Sequence, residues 1–394
     1  MSKRACSNWL DVFLKWSKPF SEAPDSLLIW SGLFCIASVL KRRVRFSKKL
    51  IRLWDVYPST YLMFVGPPGV VKKSTTSGYA ERLILSANSQ QAVTSPGYVH
   101  LGPSSGSYVK IIEEMTQAID GSMSVISGEF GNLVSVTPEE SYDFFARMFD
   151  NPPYYRHATR MHGDEVIVNP SFSLLGCTTP EWIAGNSGYM LGGGFAARTI
   201  FVFEYHPRQH KLFDDEILLS EEESKIMEGM LVKDLIQMGR LKGEAVLESK
   251  ALRDRLENWY VEHMGIPATK NTETFHTRKH VHVLRTAMLL SISMSDDLVV
   301  CEGHVDAALD LINDVEKKLS RGLSVVGRNP YSADFYRVKD YVAAHGPIAR
   351  GKLMADLWTD IPPENMASIL EVLKSSGQIE EVDFGNQKML RVSR

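Results

Sequence analysis

Between Thr60 and Tyr205, short apolar runs alternate with helical stretches. "YLMFVG", "SMSVIS", "SFSLLGCTT" and "RTIFVFEY" are nearly continuous in apolar and small residues, the pattern of strands buried on both faces. "STTSGYAERLILSANS", "GSYVKIIEEMTQAI" and the segment around "EESYDFFARMFD" read as helices between them. Strands separated by helices predict a parallel sheet covered on both sides. Ahead of this region, residues 1–57 read as helical, with "NWLDVFLKWSK", then "SLLIWSGLFCIASVL", then the basic "KRRVRFSKK". Beyond Pro207 the strands are expected to stop. "SEEESKIMEGMLVKDLIQMG" opens on Ser220 as an N-cap with Glu221–Glu223 in its first turn, a helix start. "ALRDRLENWYVEHM", "KHVHVLRTAMLLSISM" and "EGHVDAALDLINDVEKKLSRGL" continue a helical bundle to residue 326. "VGRNPYS" reads as a linker. Residues 331–394 then give three helices and two short strands around a Gly-Asn turn, the order of a winged-helix domain.

The chain has 394 residues, enough for two or three domains. With 44% hydrophobic and 23% charged residues, it has the composition of a soluble globular protein. The net charge of −3 means that any nucleic-acid contact must come from local basic patches. Six basic residues lie between Lys41 and Lys49, either a solvated loop or a phosphate-contacting patch. Cys6, Cys35, Cys177 and Cys301 are far apart with no C-x-x-C pair, which argues against a zinc site or disulfide framework and fits a reducing cytoplasm. The apolar run Ser26–Leu40 is 15 residues long, short of the about 20 that cross a bilayer. It is expected to be a buried helix, with no membrane contact.

The stretch after "YLMFV" reads as a phosphate loop or as an ordinary strand-to-helix turn. A phosphate loop needs a strand, a glycine-rich turn and a helix N-terminus, so that amides point at an anion. Here Gly66, Pro67 and Gly69 make the turn, and Lys72, Lys73, Ser74 and Thr75 open the helix. The usual pattern is G-x-x-x-x-G-K-[ST]. This loop is longer by one residue, and Lys72 stands where the second glycine would be. In that register Lys73 reaches the terminal phosphates of ATP and the Ser74 hydroxyl is the Mg²⁺ ligand. An ATPase also needs a carboxylate at a neighbouring strand end to polarise water. "SMSVISGEFG" offers Glu129 as that base, or as a surface ion-pair partner; Gly128 holds the place of a second acid, for which Asp120 is a candidate substitute. Thr178 and Thr179 end the next strand, to orient water or to cap a helix. Arg198, before "IFVFEY", is either a γ-phosphate contact to a neighbouring subunit or the partner of an acid.

Taken together, "GPPG" with Lys-Ser-Thr, "EFG", "CTTP" and "GFAAR" resemble the AAA+ ATPase order of Walker A, Walker B, sensor and arginine finger. "TRKHVHVLRTAMLLSIS" followed by "VCEGHVDAALDLI" is similar to the lid of minichromosome-maintenance-type helicases, which would make Arg278 a second nucleotide sensor. The overall texture resembles helicase-like P-loop ATPases of phages, plasmids and integrated elements, often associated with primases, and covers residues 25–320 or so. Three departures stand out: the longer loop, Gly128 for an acid, and a threonine where a sensor asparagine is common.

In "NPPYYRHATRMHGDEVIVNP", Tyr154, Tyr155, Arg156, His157, Arg160 and His162 mix aromatic and basic residues partly in a hairpin. Such a hairpin grips single-stranded DNA by stacking and phosphate contacts, or packs its tyrosines on the core. The third C-terminal helix offers Lys374 against Glu364 and Glu371, a poor base reader, so protein contact is equally open for that domain. His276, His280, His282 and His304 lack the acids or cysteines of a metal site. The expectation is an α/β P-loop NTPase with an AAA+-like parallel-sheet core at 58–207, a helical N-terminal segment at 1–57, a helical lid at 208–326 and a winged helix at 331–394. The resemblance implies an ATP- and Mg²⁺-dependent helicase or translocase on single-stranded or forked DNA, ring-forming and hexameric. The alternative is a slow nucleotide-dependent switch, an initiator, loader or regulator, with replication proteins as partners.

Overall fold

Asn8 starts the first helix by accepting the amides of Leu10 and Asp11 on its side chain, and α1 runs Trp9–Ser17. It belongs to a computed structural model that describes residues 4–51, 54–159, 163–186, 190, 194–211, 219–268, 272–325, 332–358, 360–384 and 387–392. Trp9, Phe13 and Trp16 of α1 are buried against α2, Asp25–Leu40, which is itself buried from Leu27 to Leu40 except at the half-buried Ile29. Gly32 lets the helices approach: a Cβ there would sit 2.7 Å from Leu10 Cδ1. The apolar run is thus a core helix, and among the described residues no helix is long and apolar enough to cross a membrane.

The basic stretch that follows, with β1 (Val44–Arg45) and α3 (Lys48–Ile51), behaves as neither expected alternative. Lys41 pairs with Asp120 at 2.7 Å. Arg42 donates to the carbonyls of Asn151, Pro152 and Pro170 and lies over the Tyr57 ring. Arg43 donates to the carbonyls of Leu241 and Arg240, and Arg45 pairs with Asp55 and Glu244. Guanidinium forks suit such carbonyl clusters, so these four side chains staple the fold internally.

The central region runs β2 (Tyr61–Val65), α4 (Lys73–Ser89), α5 (Tyr108–Gln117), β3 (Ser122–Ser127), α6 (Gly131–Val134) and α7 (Pro138–Phe149). It continues through β4 (Tyr154–Thr159), β5 (Gly163–Val168), β6 (Ser171–Thr178), α8 (Pro180–Gly185), α9 (Gly194–Arg198) and β7 (Ile200–Phe203). Four strands form a parallel sheet in the order β3-β6-β2-β7, with Val65 beside Thr178 and Phe203, and Ser122 beside Ser171. The protein is therefore a mixed α/β fold with a buried parallel sheet. The four strands are almost wholly buried, as continuous apolar runs require. Phe149, Phe172 and Phe195 pack around Tyr61, with Phe145 stacked on Phe172 and Phe130 on Phe195 at 5.7 Å each. β4 and β5 form a separate antiparallel hairpin.

Four long helices follow: α10 (Glu221–Met238), α11 (Lys250–Gly265), α12 (Glu273–Met294) and α13 (Glu302–Val325). Ser220 and Glu223 make a reciprocal capping box at the first. The strands do not stop at Pro207 as expected. β8 (Gly243–Glu244) pairs in parallel with β1, and β9 (Val246–Leu247) with β10 (Val299–Val300). Ladders of two residues are too short to leave a hydrophobic period in the sequence. Residues 1–320 form one compact unit and 321–394 another. In the second, α14 (Ser332–His345), α15 (Arg350–Leu357) and α16 (Pro363–Ser375) accompany β11 (Ile348–Ala349), β12 (Ile379–Phe384) and β13 (Gln387–Val392). The strands form an antiparallel sheet in the order β11-β13-β12, around a core that includes Val338, Leu353, Ile369 and Leu390. The expected turn at 385–386 and the linker at 326–331 lie outside the described residues.

The N-terminus is tied to α10 by a buried acid. Asp234 is fully buried and accepts the amides of Ala5 and Cys6 at 2.8 Å each, while Trp9 Nε1 donates to Leu231 O. Asp234→Ala leaves two amides without an acceptor, at roughly 1–3 kcal/mol apiece. Urea unfolding should register a loss of about 3 kcal/mol, with Asp234→Asn intermediate; a loss under about 0.5 kcal/mol would contradict this role.

Candidate phosphate-binding site

β2 ends at Val65, and the next residue meets a wall. A Cβ on Gly66 would lie 2.3 Å from Glu204 O and 2.6 Å from Val71 Cγ2, so only glycine fits where the loop turns against β7's end. Gly69 has φ +71°, and Lys72 has φ +55° and ψ +37°, the left-handed region. Lys72 thus adopts the backbone a glycine takes most easily, at the place where the second glycine was missed. α4 begins at Lys73, the residue after that left-handed cap.

Lys73 turns back over its own loop. Its Nζ donates to the carbonyls of Gly66 and, at 3.0 Å, Pro67. Burial pulls this ammonium below its ordinary pKa, against the opposing fields of Cys177 and Glu181. Lys72 points elsewhere, to Glu22 Oε2 at 3.1 Å. Ser74 and Thr75 are exposed at the helix start. A Cβ on Gly128 would stand 3.8 Å from Ser74 Oγ, which puts the end of β3 directly beside that hydroxyl. Glu129, one residue further, is exposed and accepts a 3.4 Å bond from Asn132 Nδ2. No ion pair engages it among the described residues. Thr178 closes the group from β6, its carbonyl accepting Gly66 N at 3.4 Å. Its neighbour Thr179 is a cap, with Oγ1 accepting Trp182 N.

One carboxylate here went unnoticed in the sequence. Glu181 sits in the first turn of α8, just past β6, and acts on Lys73 and Tyr205 electrostatically. Asp120 cannot supply the missing acid. It precedes β3, at the opposite end of that strand from Glu129, and is held by Lys41 and Ser122.

Arg198 and Arg278 also lie away from this loop. Arg198 precedes β7, whose Ile200 pairs with Leu62 near the start of β2. Arg198 Nη2 meets Asp150 Oδ2 at 2.6 Å, and Arg278 Nη1 meets Asp150 Oδ1 at 2.8 Å. Arg278, expected as a second nucleotide sensor, is thus engaged with Asp150 away from its own chain's loop, and lies over Trp54. For Arg198 the acid partner is Asp150, which the sequence left without a role.

In the hairpin, alternation separates the tyrosines. Tyr154 is 64% exposed, whereas Tyr155 packs edge-on against Phe144 at 5.6 Å, so Tyr155 is a core contact rather than a stacking platform. Arg156 shares the outer face with Tyr154 and pairs with Asp164. His157 turns inward to Tyr108 and Glu165. Arg160 and His162 lie outside the described residues. In the second unit, Lys374 of α16 is committed to Glu381. The expected lid histidines do not converge: His276 Nε2 faces His263 O, His282 Nε2 faces Ala197 O, and His304 faces Cys301.

Neither a protein-family model nor a curated protein matches the chain.

Lys72→Gly and Lys73→Ala separate the two lysines. The first removes left-handed strain and keeps the amide positions, so ATP affinity, measured by calorimetry with Mg²⁺, should hold within about threefold. The second should lose at least about 100-fold, roughly 2.7 kcal/mol. The reverse ranking would move the register by one residue.

Proposed function

We propose that the chain is an AAA+-like P-loop ATPase that moves on DNA. The observation that carries the reading is the meeting of Lys73, Ser74, Glu129 and Thr178 where β2, β3 and β6 end. Strand ends next to a helix start are where a parallel sheet takes an anion. The loop amides and Lys73 would hold the phosphates of ATP, with Lys73 leaving its carbonyl partners for them. Ser74 Oγ and Glu129 are hard oxygen donors, and the open space above Gly128 suits a Mg²⁺ ion, which when bound would neutralise phosphate charge. Glu129 takes a proton from the attacking water, and Thr178 stands where that water must be oriented. Arg198 and Arg278 lie away from their own chain's loop, which fits a ring in which they act on a neighbouring copy's γ-phosphate.

The exposed Tyr154–Arg156 face of the hairpin supports single-stranded DNA as the track, stacking bases without reading sequence. The three helices and small sheet of residues 332–392 fit a winged helix. A second reading, a slow nucleotide-dependent switch, is favoured by Gly128, which leaves one acid fewer at the site, and by Lys374, already paired in the helix that would read DNA.

The test compares ATP turnover with and without single-stranded DNA. The motor requires stimulation by DNA that Arg156→Ala with Arg160→Ala abolishes; slow turnover indifferent to DNA, with nucleotide-dependent assembly, selects the switch. Glu129→Gln should slow hydrolysis at least about 100-fold, and an unchanged rate removes that residue from the chemistry.

A further inference from the structure

The far edge of the sheet concentrates positive charge. Arg198 and Arg278 each take a different oxygen of the Asp150 carboxylate. Behind them Arg285, 4% exposed, donates to Ser59 O at 2.6 Å and Phe149 O at 3.0 Å, with its guanidinium 3.8 Å from the Phe149 ring centroid. Two guanidinium groups therefore share one carboxylate, which is 39% exposed, and a third lies behind them on carbonyl partners. Burial, with Arg278 and Arg198 adding to it, lowers the Arg285 pKa to about 9, still charged at neutral pH. Donors exceed acceptors as well: Arg198 Nε and Arg285 Nε are buried with no hydrogen-bond partner among the described residues. Buried like charges and unmatched donors are costly. An arrangement of this kind is complete when an anion with more charge and more oxygens than a carboxylate arrives.

We propose that Arg198 and Arg278 form one phosphoryl-binding clamp, in which Asp150 holds the ligand's place until a phosphoryl group displaces it. A carboxylate offers two oxygens and one charge. A phosphoryl group offers three oxygens and up to two charges, enough for both guanidinium forks and a better balance for the buried Arg285. Asp150 thereby acts as an internal competitor and sets the affinity of the clamp. The clamp stands on its own geometry; only its assignment to a neighbouring copy's nucleotide rests on the ATPase reading above.

The probe is inorganic pyrophosphate, titrated calorimetrically into full-length chains that carry Lys73→Ala to silence the phosphate loop. Adding Asp150→Asn should tighten pyrophosphate binding at least tenfold, and adding Arg278→Gln to that pair should reverse the gain. Equal affinity with and without Asp150→Asn overturns the proposal. If Asp150→Asn does not fold, heat melts replace it. Millimolar pyrophosphate should stabilise the Lys73→Ala chain and not the Lys73→Ala/Arg278→Gln chain; equal stabilisation of both overturns the proposal. Two further arms identify the source. Recovery of ATP turnover on mixing Lys73→Ala chains with Arg278→Gln chains assigns the phosphoryl group to a neighbour's nucleotide. Tenfold weaker binding of a single-stranded oligonucleotide by Arg278→Gln assigns it to nucleic acid. A working clamp in a chain that turns over no ATP under any condition sinks the ATPase reading and leaves the clamp standing.

Discussion

A parallel sheet has two chemically different edges, and most of what this molecule can do follows from that polarity. Each strand must be re-entered from the same side, so every segment that follows a strand gathers at one edge and every segment that precedes one gathers at the other. Gly66 and Glu129 follow β2 and β3, Thr178 ends β6, and they meet. Ser59, Asp120, Pro170 and Arg198 precede the four strands, and they stand at the opposite edge. No local property of Arg198 or Asp120 decides their place; the direction of their strands does. This is why an acid on the near side of β3 cannot replace the one missing at Gly128, and why an arginine close in sequence to β7 is remote from its own chain's loop.

The two edges are reinforced by different means. At the loop edge, the contact between Gly66 and the Glu204 carbonyl leaves no room for a side chain, and Glu204 is itself held through its carboxylate by Ser26 and Lys318. Glu22 adds a second brace through Lys72. The amide of Lys211 and then Lys72 hold that carboxyl below its usual range. Helices before and after the sheet thus stiffen the loop from outside, and rigid placement is what lets amides act on an anion without reorganising. At the opposite edge the reinforcement is carried by arginines donating to carbonyls. Arg42 binds both roots of the β4–β5 hairpin, Asn151–Pro152 on one side and Pro170 on the other. The hairpin's outer face is therefore presented on a fixed base.

The sheet strands were legible in the sequence because a short, continuous apolar run bounded by turn residues suits a strand buried on both faces and little else. The capped helix start at Ser220 is a local signal too. The glycine- and proline-rich turn after β2 was legible as a loop, but the start of its helix needed a backbone angle: Lys72, in a left-handed conformation, is the cap and Lys73 opens α4. Tyr154 and Tyr155 look alike as a pair in sequence, yet one-residue alternation in a strand sends them to opposite faces. Asp150 could not have been found. Its partners are 48 and 128 residues away in the chain, and a helix-ending aspartate carries no mark of two distant arginines. The short ladders β8 to β10 escaped for the same reason, since pairing across long separations leaves no period to read.

The distribution of charge between the edges extends the polarity from fold to association. A net charge of −3 conceals it. The loop edge carries the exposed Glu129 and, beside the buried Lys73 ammonium, Glu181, while the far edge carries Arg198 and Arg278 on the Asp150 carboxylate with Arg285 behind them. On the proposed reading, a nucleotide held at the loop edge of one copy offers its phosphate to the clamp of the next. Such a contact joins two different surfaces, and contacts of that kind close into rings when the rotation between copies permits. Asp150 then has a thermodynamic consequence. Because it competes within the chain, the clamp gains affinity for a phosphoryl group only by the difference between that ligand and a carboxylate already in place. Association driven through it would therefore be weak for a singly charged phosphodiester and stronger for a dianionic terminal phosphate, so a nucleotide's terminal phosphate would be distinguished from the backbone phosphates of a nucleic acid.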